Sequence, residues 1–296
     1  MIENITPKFE QYALIDSGDF EKLEQFGALT LRRPEPQAIW HKSLSDEEWQ
    51  RRANATFMRE AGKSDERGEW RLKPSTAEQW TITHRYKEMK LTMRLGLTSF
   101  KHVGIFPEQA ANWNYIYDKC RTMANGAEPP KALNLFAYTG GASLAAAAAG
   151  AQVTHVDSVK QVVTWSRENM ELSKLRDIRW VVDDALKFVR REVRRGNLYQ
   201  AIILDPPAYG RGANGERWIL EDNIGEMLSL CAELLDSTSG SFVVLNLYSM
   251  GLSSTLARTA MHQAFGTPSS EQRGELVVVD QSNKELPLGT YYRFER

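Results

Sequence analysis

From residue 131 onward the chain alternates short β-branched and aliphatic runs with helical stretches, and that alternation admits few architectures. Parallel neighbours need a crossover of a dozen or more residues, usually a helix, so repeated strand–helix units build a parallel sheet covered on both faces. Seven strands are expected, at 131–137, 152–157, 178–183, 199–205, 241–247, 275–279 and 290–294. No helical stretch separates the last two, which predicts an antiparallel edge hairpin joined by a loop holding Pro287 and Gly289. The alanines at 145–149 predict a helix packed closely on the sheet.

Before residue 105 the pattern differs. Short strands are expected at 12–15 and 28–31, the second closed by Pro34-Glu35-Pro36. Ser45 with Glu48 has the capping-box spacing, and Leu44 can staple onto Trp49, so a helix should start near Asp46, carry Ala53 and Phe57 on its stripe and end near Gly62. A polar run at 63–68 leads to Trp70 and Leu72. From 80 to 95 alternation of period two sets Leu91, Met93 and Leu95 against Lys90, Thr92 and Arg94. The expected organisation is a small α+β module at 1–105, strand-strand-helix-strand-strand, followed by an α/β unit at 106–296.

A formal net charge of −1 offers no overall basic field, so a polyanionic partner would have to meet a local patch. The two cysteines, Cys120 and Cys231, lie in apolar helical patterns without metal or disulfide spacing. The first residues lack a signal-like apolar run and no stretch approaches a membrane span, so the expected location is the cytoplasm, with no membrane partner.

Polar residues gather where the strands of the second unit end, the edge at which open α/β sheets place their ligands. Asn134-Leu135-Phe136-Ala137-Tyr138-Thr139-Gly140-Gly141 runs from a strand into a helix start, where backbone can approach a ligand closely. The G-x-G-x-x-G pattern is absent, Phe136 and Tyr138 standing where glycines would, which argues against a pyrophosphate ligand. Asp157 lies 23 residues beyond Asn134, a spacing that suits a ribose diol and equally a helix cap. Asp183-Asp184 ends the next strand, where it could hydrogen-bond an adenine amino group. Asp205-Pro206-Pro207-Ala208-Tyr209-Gly210 ends the fourth. Two prolines stiffen that turn, so a carboxylate, fixed carbonyl acceptors and an aromatic ring could hold a planar amino group.

These motifs, NLFAYTGG at 134–141, VDS at 156–158, DDAL at 183–186 and DPPAY at 205–209, resemble in order and spacing the class I S-adenosylmethionine-dependent methyltransferases. The resemblance is to the branch that modifies large-subunit rRNA. Gly104-Ile105-Phe106-Pro107-Glu108-Gln109 is similar to that family's G-F-F-L-D-Q, which opens a helix beside the cofactor. The resemblance implies a Rossmann-like methyltransferase sheet and S-adenosyl-L-methionine as cofactor. It implies that Asp157 holds the ribose, Asp184 with Ala185 the adenine, and Gly140 with nearby backbone the methionine part. Phe106, Gln109, Asn134, Phe136, Tyr138 and Asp205 would complete the cofactor site.

The cytosine-C5 members of that family need a cysteine after the fifth strand, and this chain has Asn246-Leu247-Tyr248-Ser249 there. A base nitrogen of RNA, most directly rRNA, is therefore the expected acceptor, methylated by in-line displacement with Asp205, Pro206, Pro207 and Tyr209 as the catalytic loop. Arg85, Tyr86, Lys87, Lys90, Arg94 and Lys101, which interleave cations with an aromatic ring, are the expected acceptor-binding surface, against the plain alternative of a solvated strand face. Two other functions stay open: the same chemistry on a protein or small molecule, and a cofactor-binding RNA chaperone without catalysis.

Overall fold

The computed structural model describes residues 2–60, 66–126, 128–212, 215–237, 240–248 and 252–296. Gly62, positions 63–65 of the polar run and Ser249 lie outside them. The order is β1 (Tyr12–Gly18), β2 (Glu21–Phe26), β3 (Leu29–Pro34), α1 (Asp46–Arg52), β4 (Ala55–Arg59), β5 (Gly68–Leu72), β6 (Gln79–Tyr86) and β7 (Met89–Gly96). After a 3-10 turn at Pro107–Gln109 come α2 (Ala110–Met123), β8 (Lys131–Leu135), α3 (Gly141–Ala148), β9 (Gln152–Asp157), α4 (Lys160–Leu172), β10 (Ile178–Val182), α5 (Ala185–Arg195) and β11 (Ala201–Leu204). The chain closes with β12 (Tyr209–Arg211), β13 (Arg217–Ile219), α6 (Leu220–Leu234), β14 (Phe242–Leu247), α7 (Ser254–Phe265), β15 (Ser270–Val279) and β16 (Glu285–Glu295).

Seven strands form the large sheet in the order β10-β9-β8-β11-β14-β16-β15. The first five are parallel and the last two antiparallel, as the alternation required. Strand order reverses between β8 and β11, so the crevice beyond their carboxyl ends is the switch point where such sheets bind ligands. Pro287 and Gly289 do not lie in the connecting loop. They pair within β16 beside a register shift at Leu276/Val277, because a bulge removes the ladder bond that proline cannot donate. The free edge of β15 is covered by the chain start, where Glu3 and Ile5 donate to the Arg273 and Glu275 carbonyls.

The N-terminal sheet runs β1-β2-β3-β4-β5 and the hairpin β6-β7 stands apart from it. The helix expected to reach Gly62 ends at Arg52. Ala53 turns extended, and Ala55, Phe57 and their alternation form β4 instead. Asn54 fixes the change: its N–H donates to the Thr30 carbonyl and its Oδ1 accepts from Thr30 N, both at 2.7 Å, so its backbone is committed to the neighbouring strand. Ser45 caps α1 through Glu48 N, but Glu48 pairs with Arg51 and Arg52, so the box is one-sided. Strand β2 was not foreseen because two of its buried residues, Lys22 and Glu24, are charged. Glu24 is buried and accepts two bonds from Arg33 and one from Tyr12, which compensates its desolvation.

One apolar cluster runs from Phe26 and Leu31 through Ile82, Leu91 and Met93 to Trp113, Ala145 and Ile203. The hairpin's inner face therefore belongs to the same core as the large sheet. Helix α4 covers the edge of β7: Ser173 Oγ and Asn169 Oδ1 accept from Thr92 N and Arg94 N, and Trp165 Nε1 donates to the Arg94 carbonyl. Among the described residues no helix is long and apolar enough to cross a membrane.

Candidate active site

A cleft opens at the carboxyl ends of β8 and β11, and its walls include Phe106, Gln109, Asn134, Phe136, Tyr138, Gly140 and Asp205. Every one of these was singled out in the sequence. The turn after β8 is tightly held. Tyr138 carbonyl accepts from Ser166 Oγ at 2.6 Å, Thr139 carbonyl from Asn169 Nδ2 at 3.0 Å, and Thr139 Oγ1 donates to the Gly104 carbonyl at 2.7 Å. Buried His155, whose pKa burial lowers to about 3, sits between Ser143 and Ser166 and is therefore neutral. Asn134 Nδ2 donates to Ser143 Oγ, so its side chain supports the turn from below.

The same turn places Phe136 at φ 56° and Tyr138 at φ 48°, with Gly140 at 91°. Left-handed conformations at two aromatic residues are strained, and here they are held by side-chain packing. The Phe136 ring lies 4.7 Å from that of Trp218, and the Tyr138 ring 5.3 Å from that of Phe106. Gly140 is the uncapped N-cap of α3, and Gly141 allows α3 to press on Trp113, whose ring a Cβ would meet at 2.4 Å. Free N–H groups at that helix start suit a carboxylate.

Asp157 Oδ2 accepts from Tyr138 N and Oδ1 from Val159 N, both at 2.9 Å. This cap leaves room for a ligand contact, because each oxygen retains a second lone pair. Burial raises its pKa against those bonds. Asp184 lies on the adjacent strand end and caps α5 through Lys187 N at 2.9 Å, with Ala185 as the first helical residue. Asp183 accepts from Asp184 N and pairs with Arg191. Asp157, Asp184 and Ala185 stand at the neighbouring strand ends and are not among the residues lining that cleft; the uncapped helix start and the aromatic walls suit the carboxylate and the adenine of S-adenosylmethionine.

Asp205 ends β11, and burial pushes its carboxyl up to about 7, opposed by a 2.9 Å hydrogen bond from Asn246 Nδ2. Pro206 is buried and Pro207 exposed, its carbonyl accepting from Trp218 Nε1 at 2.7 Å, so one of the two proline carbonyls anchors the loop. Tyr209 starts the β12–β13 hairpin, 51% exposed, with the Arg217 guanidinium 6.0 Å from its ring centroid. Where the cysteine would be expected, Tyr248 OH accepts from Gln109 Nε2 at 2.8 Å and donates to Glu108 Oε1 at 3.3 Å. Burial pushes Glu108 up to about 7 as well. Asn246, Tyr248 and Glu108 were not among the expected site residues. The visible signal for Asn246 was a lone amide in the apolar run Phe-Val-Val-Leu-Asn-Leu.

The six expected acceptor-binding residues are spread along the hairpin. Arg85 and Lys90 face each other across its tip on the outer side, while Tyr86 turns inward and donates to Asp118, which also pairs with Lys87. Arg94 lies toward the other end, paired with Glu168 and over Trp165. Lys101 follows β7 near Glu66, and burial lowers its pKa.

Comparison with known proteins agrees with this geometry. Residues 48–271 match the S-adenosylmethionine-dependent methyltransferase family. A SAM-dependent methyltransferase solved from Agrobacterium tumefaciens is 37% identical, superposes with a TM-score of 0.86 and covers 98% of this chain and 93% of its own. Ribosomal RNA large subunit methyltransferase K/L of Shewanella frigidimarina is 29% identical over 164 residues, 54% of this chain and 22% of that protein. Ribosomal RNA large subunit methyltransferase I of Escherichia coli is 36% identical over 85 residues, 28% of this chain and 22% of that protein. The chain thus spans about a fifth of the length of these curated relatives, 22% in each case. By the family match and the full-length structural relative, the chain belongs to the S-adenosylmethionine-dependent methyltransferases.

Proposed function

We propose that this chain methylates a base nitrogen of RNA, most directly ribosomal RNA, in the cytoplasm. The observation that carries the chemistry is Asp205: a carboxyl at the switch-point cleft, on a proline-stiffened turn, with no thiol beside it. Cys120 and Cys231 are fully buried in α2 and α6, and burial pushes Cys120 up to about 12 and Cys231 higher still, so neither offers a thiolate. S-adenosylmethionine, when bound, supplies an electrophilic methyl group. Asp157, the Gly140 helix start and the Asp184–Ala185 corner would hold it. Asp205 and the Pro206 carbonyl would orient an acceptor N–H, and Tyr209 would stack the base, a contact worth about 1–3 kcal/mol.

The ribosomal relatives support RNA as the acceptor, and so does the hairpin tip. Arg85 and Lys90 stand directly opposite one another, and among the described residues neither has an ion-pair partner. Like charges so placed repel, and a phosphate between them relieves that. Residues 1–105 would serve as the acceptor-gripping module and 106–296 as the transferring unit.

The test is radiolabelled methyl transfer to RNA, protein and small-molecule fractions of cells lacking the gene, with mass-spectrometric mapping of the product. Label in a base of rRNA is expected, with Asp205→Ala inactive and a Cys120→Ala, Cys231→Ala double variant active. Label only in protein or small molecules would replace RNA as substrate, and a folded, cofactor-binding but inactive double variant would restore covalent carbon chemistry.

A further inference from the structure

Asn246 stands one residue from the end of β14 and lines the cleft beside Asp205, with only 2% of its surface exposed. Its Nδ2 donates to Asp205 Oδ1, while among the described residues its Oδ1 has no hydrogen-bond partner. A buried amide oxygen left unpaired is costly, so such an atom at a ligand cleft points to a donor on the ligand. Gly289 on the neighbouring strand spares Oδ1 a close contact, since a Cβ there would come within 3.2 Å of it. With Asp205 ionised, the state in which it can act as a base, the carboxylate only accepts, so Asn246 presents its N–H2 side there and its oxygen elsewhere.

We propose that Asn246 contacts the acceptor directly, its Oδ1 taking one hydrogen of an exocyclic amino group while Asp205 takes the other. This rests on the nitrogen-methylation reading and narrows it. A ring nitrogen carries at most one hydrogen and would leave one of the two acceptors unpaired. The amino groups of adenine, guanine and cytosine satisfy both, and uracil has none. With both hydrogens held, the nitrogen lone pair is aimed at the methyl carbon. The N–C bond forms as the C–S bond breaks, the electron pair of the broken bond leaves with sulfur, and the surplus proton on nitrogen passes to the Asp205 carboxylate. A carboxyl raised to about 7 by burial is a better base for that step than an ordinary aspartate.

Two readouts on the full chain test this. In the first, ligand-observed NMR with S-adenosylhomocysteine present titrates adenosine, guanosine, cytidine and uridine against wild type and Asn246→Leu. At least one amino-bearing nucleoside should bind in preference to uridine and lose about tenfold in the variant, the size of one hydrogen bond. In the second, Asn246→Leu should lower the single-turnover rate of methyl transfer about 100-fold, with cofactor affinity by calorimetry little changed. The exchange Asp205→Asn with Asn246→Asp rebuilds the pair in reverse and should transfer faster than the product of the two single losses predicts. Asn246→Leu at the wild-type rate, a loss of cofactor affinity in step with the rate, or no preference for amino-bearing nucleosides would each overturn the proposal. Label entering protein alone in the wild type would instead end the RNA reading, and Asn246→Leu would then be judged on that acceptor.

Discussion

Asp157 spends one lone pair of each carboxylate oxygen on its own loop, and in the proposed site the other is open to the cofactor. Asp157→Ala should therefore weaken S-adenosylmethionine by about 1.5–3 kcal/mol, the range for hydrogen bonds to a charged group, as read by titration calorimetry. Unchanged affinity would remove Asp157 from the site. Glu108 makes a second test at this scale because its carboxyl is pushed from an ordinary 4.5 to about 7. Between those values the unfolded chain has released a proton that the folded chain retains, so stability falls as pH rises through the window and stays lower above it. Glu108→Gln removes that charge. Its unfolding free energy in urea should match wild type near pH 4 and exceed it above pH 7 by about 3 kcal/mol. A constant difference across pH would mean that Glu108 is held charged by Lys22 and Arg33.

Helix α4 works at the scale of elements, since Asn169 joins two of them to the cofactor turn. Its Oδ1 accepts from Arg94 N on β7 and its Nδ2 donates to the Thr139 carbonyl. Asn169→Ala leaves both buried groups unpaired and should cost about 1–3 kcal/mol of stability per group, together with cofactor affinity. Loss of stability without loss of affinity would show that the turn keeps its shape unaided. The strands and helices of the large sheet were legible because a parallel core imposes apolar runs and crossover helices. Strand β2 and the short α1 were not. In β2 the buried positions include Lys22 and Glu24 beside Leu23 and Phe26, and the pairing of those two charges with Glu35 and Arg33 is set by a neighbouring strand. At α1 the helical stripe Trp49, Ala53 and Phe57 also satisfies a helix followed by a strand, and all three are buried either way.

Across the whole molecule the N-terminal sheet is fastened to the large one through Lys284, in the turn between β15 and β16. It donates to Asp16 on β1 at 2.8 Å and to the Ser17 and His41 carbonyls, and fully buried Asp16 also accepts from Leu44 N and Trp49 Nε1. Lys284→Met strands that carboxylate. A loss of about 2–3 kcal/mol is expected in urea unfolding, below the 3–5 of a fully dry pair because Lys284 is partly exposed. No loss would mean that the backbone donors alone suffice. The sequence by itself determined the strand–helix alternation, the acids at the strand ends and the missing thiol, since periodicity and turn chemistry are local properties. Only the tertiary structure decided that Phe136 and Tyr138 adopt glycine-like backbone. Side chains from α4 and Trp218, remote in sequence, hold that strain. Likewise only it brought Asn246 to Asp205 and Tyr248 to Glu108, because hydrogen bonds between residues 41 and 140 positions apart exist only once the sheet has closed around them.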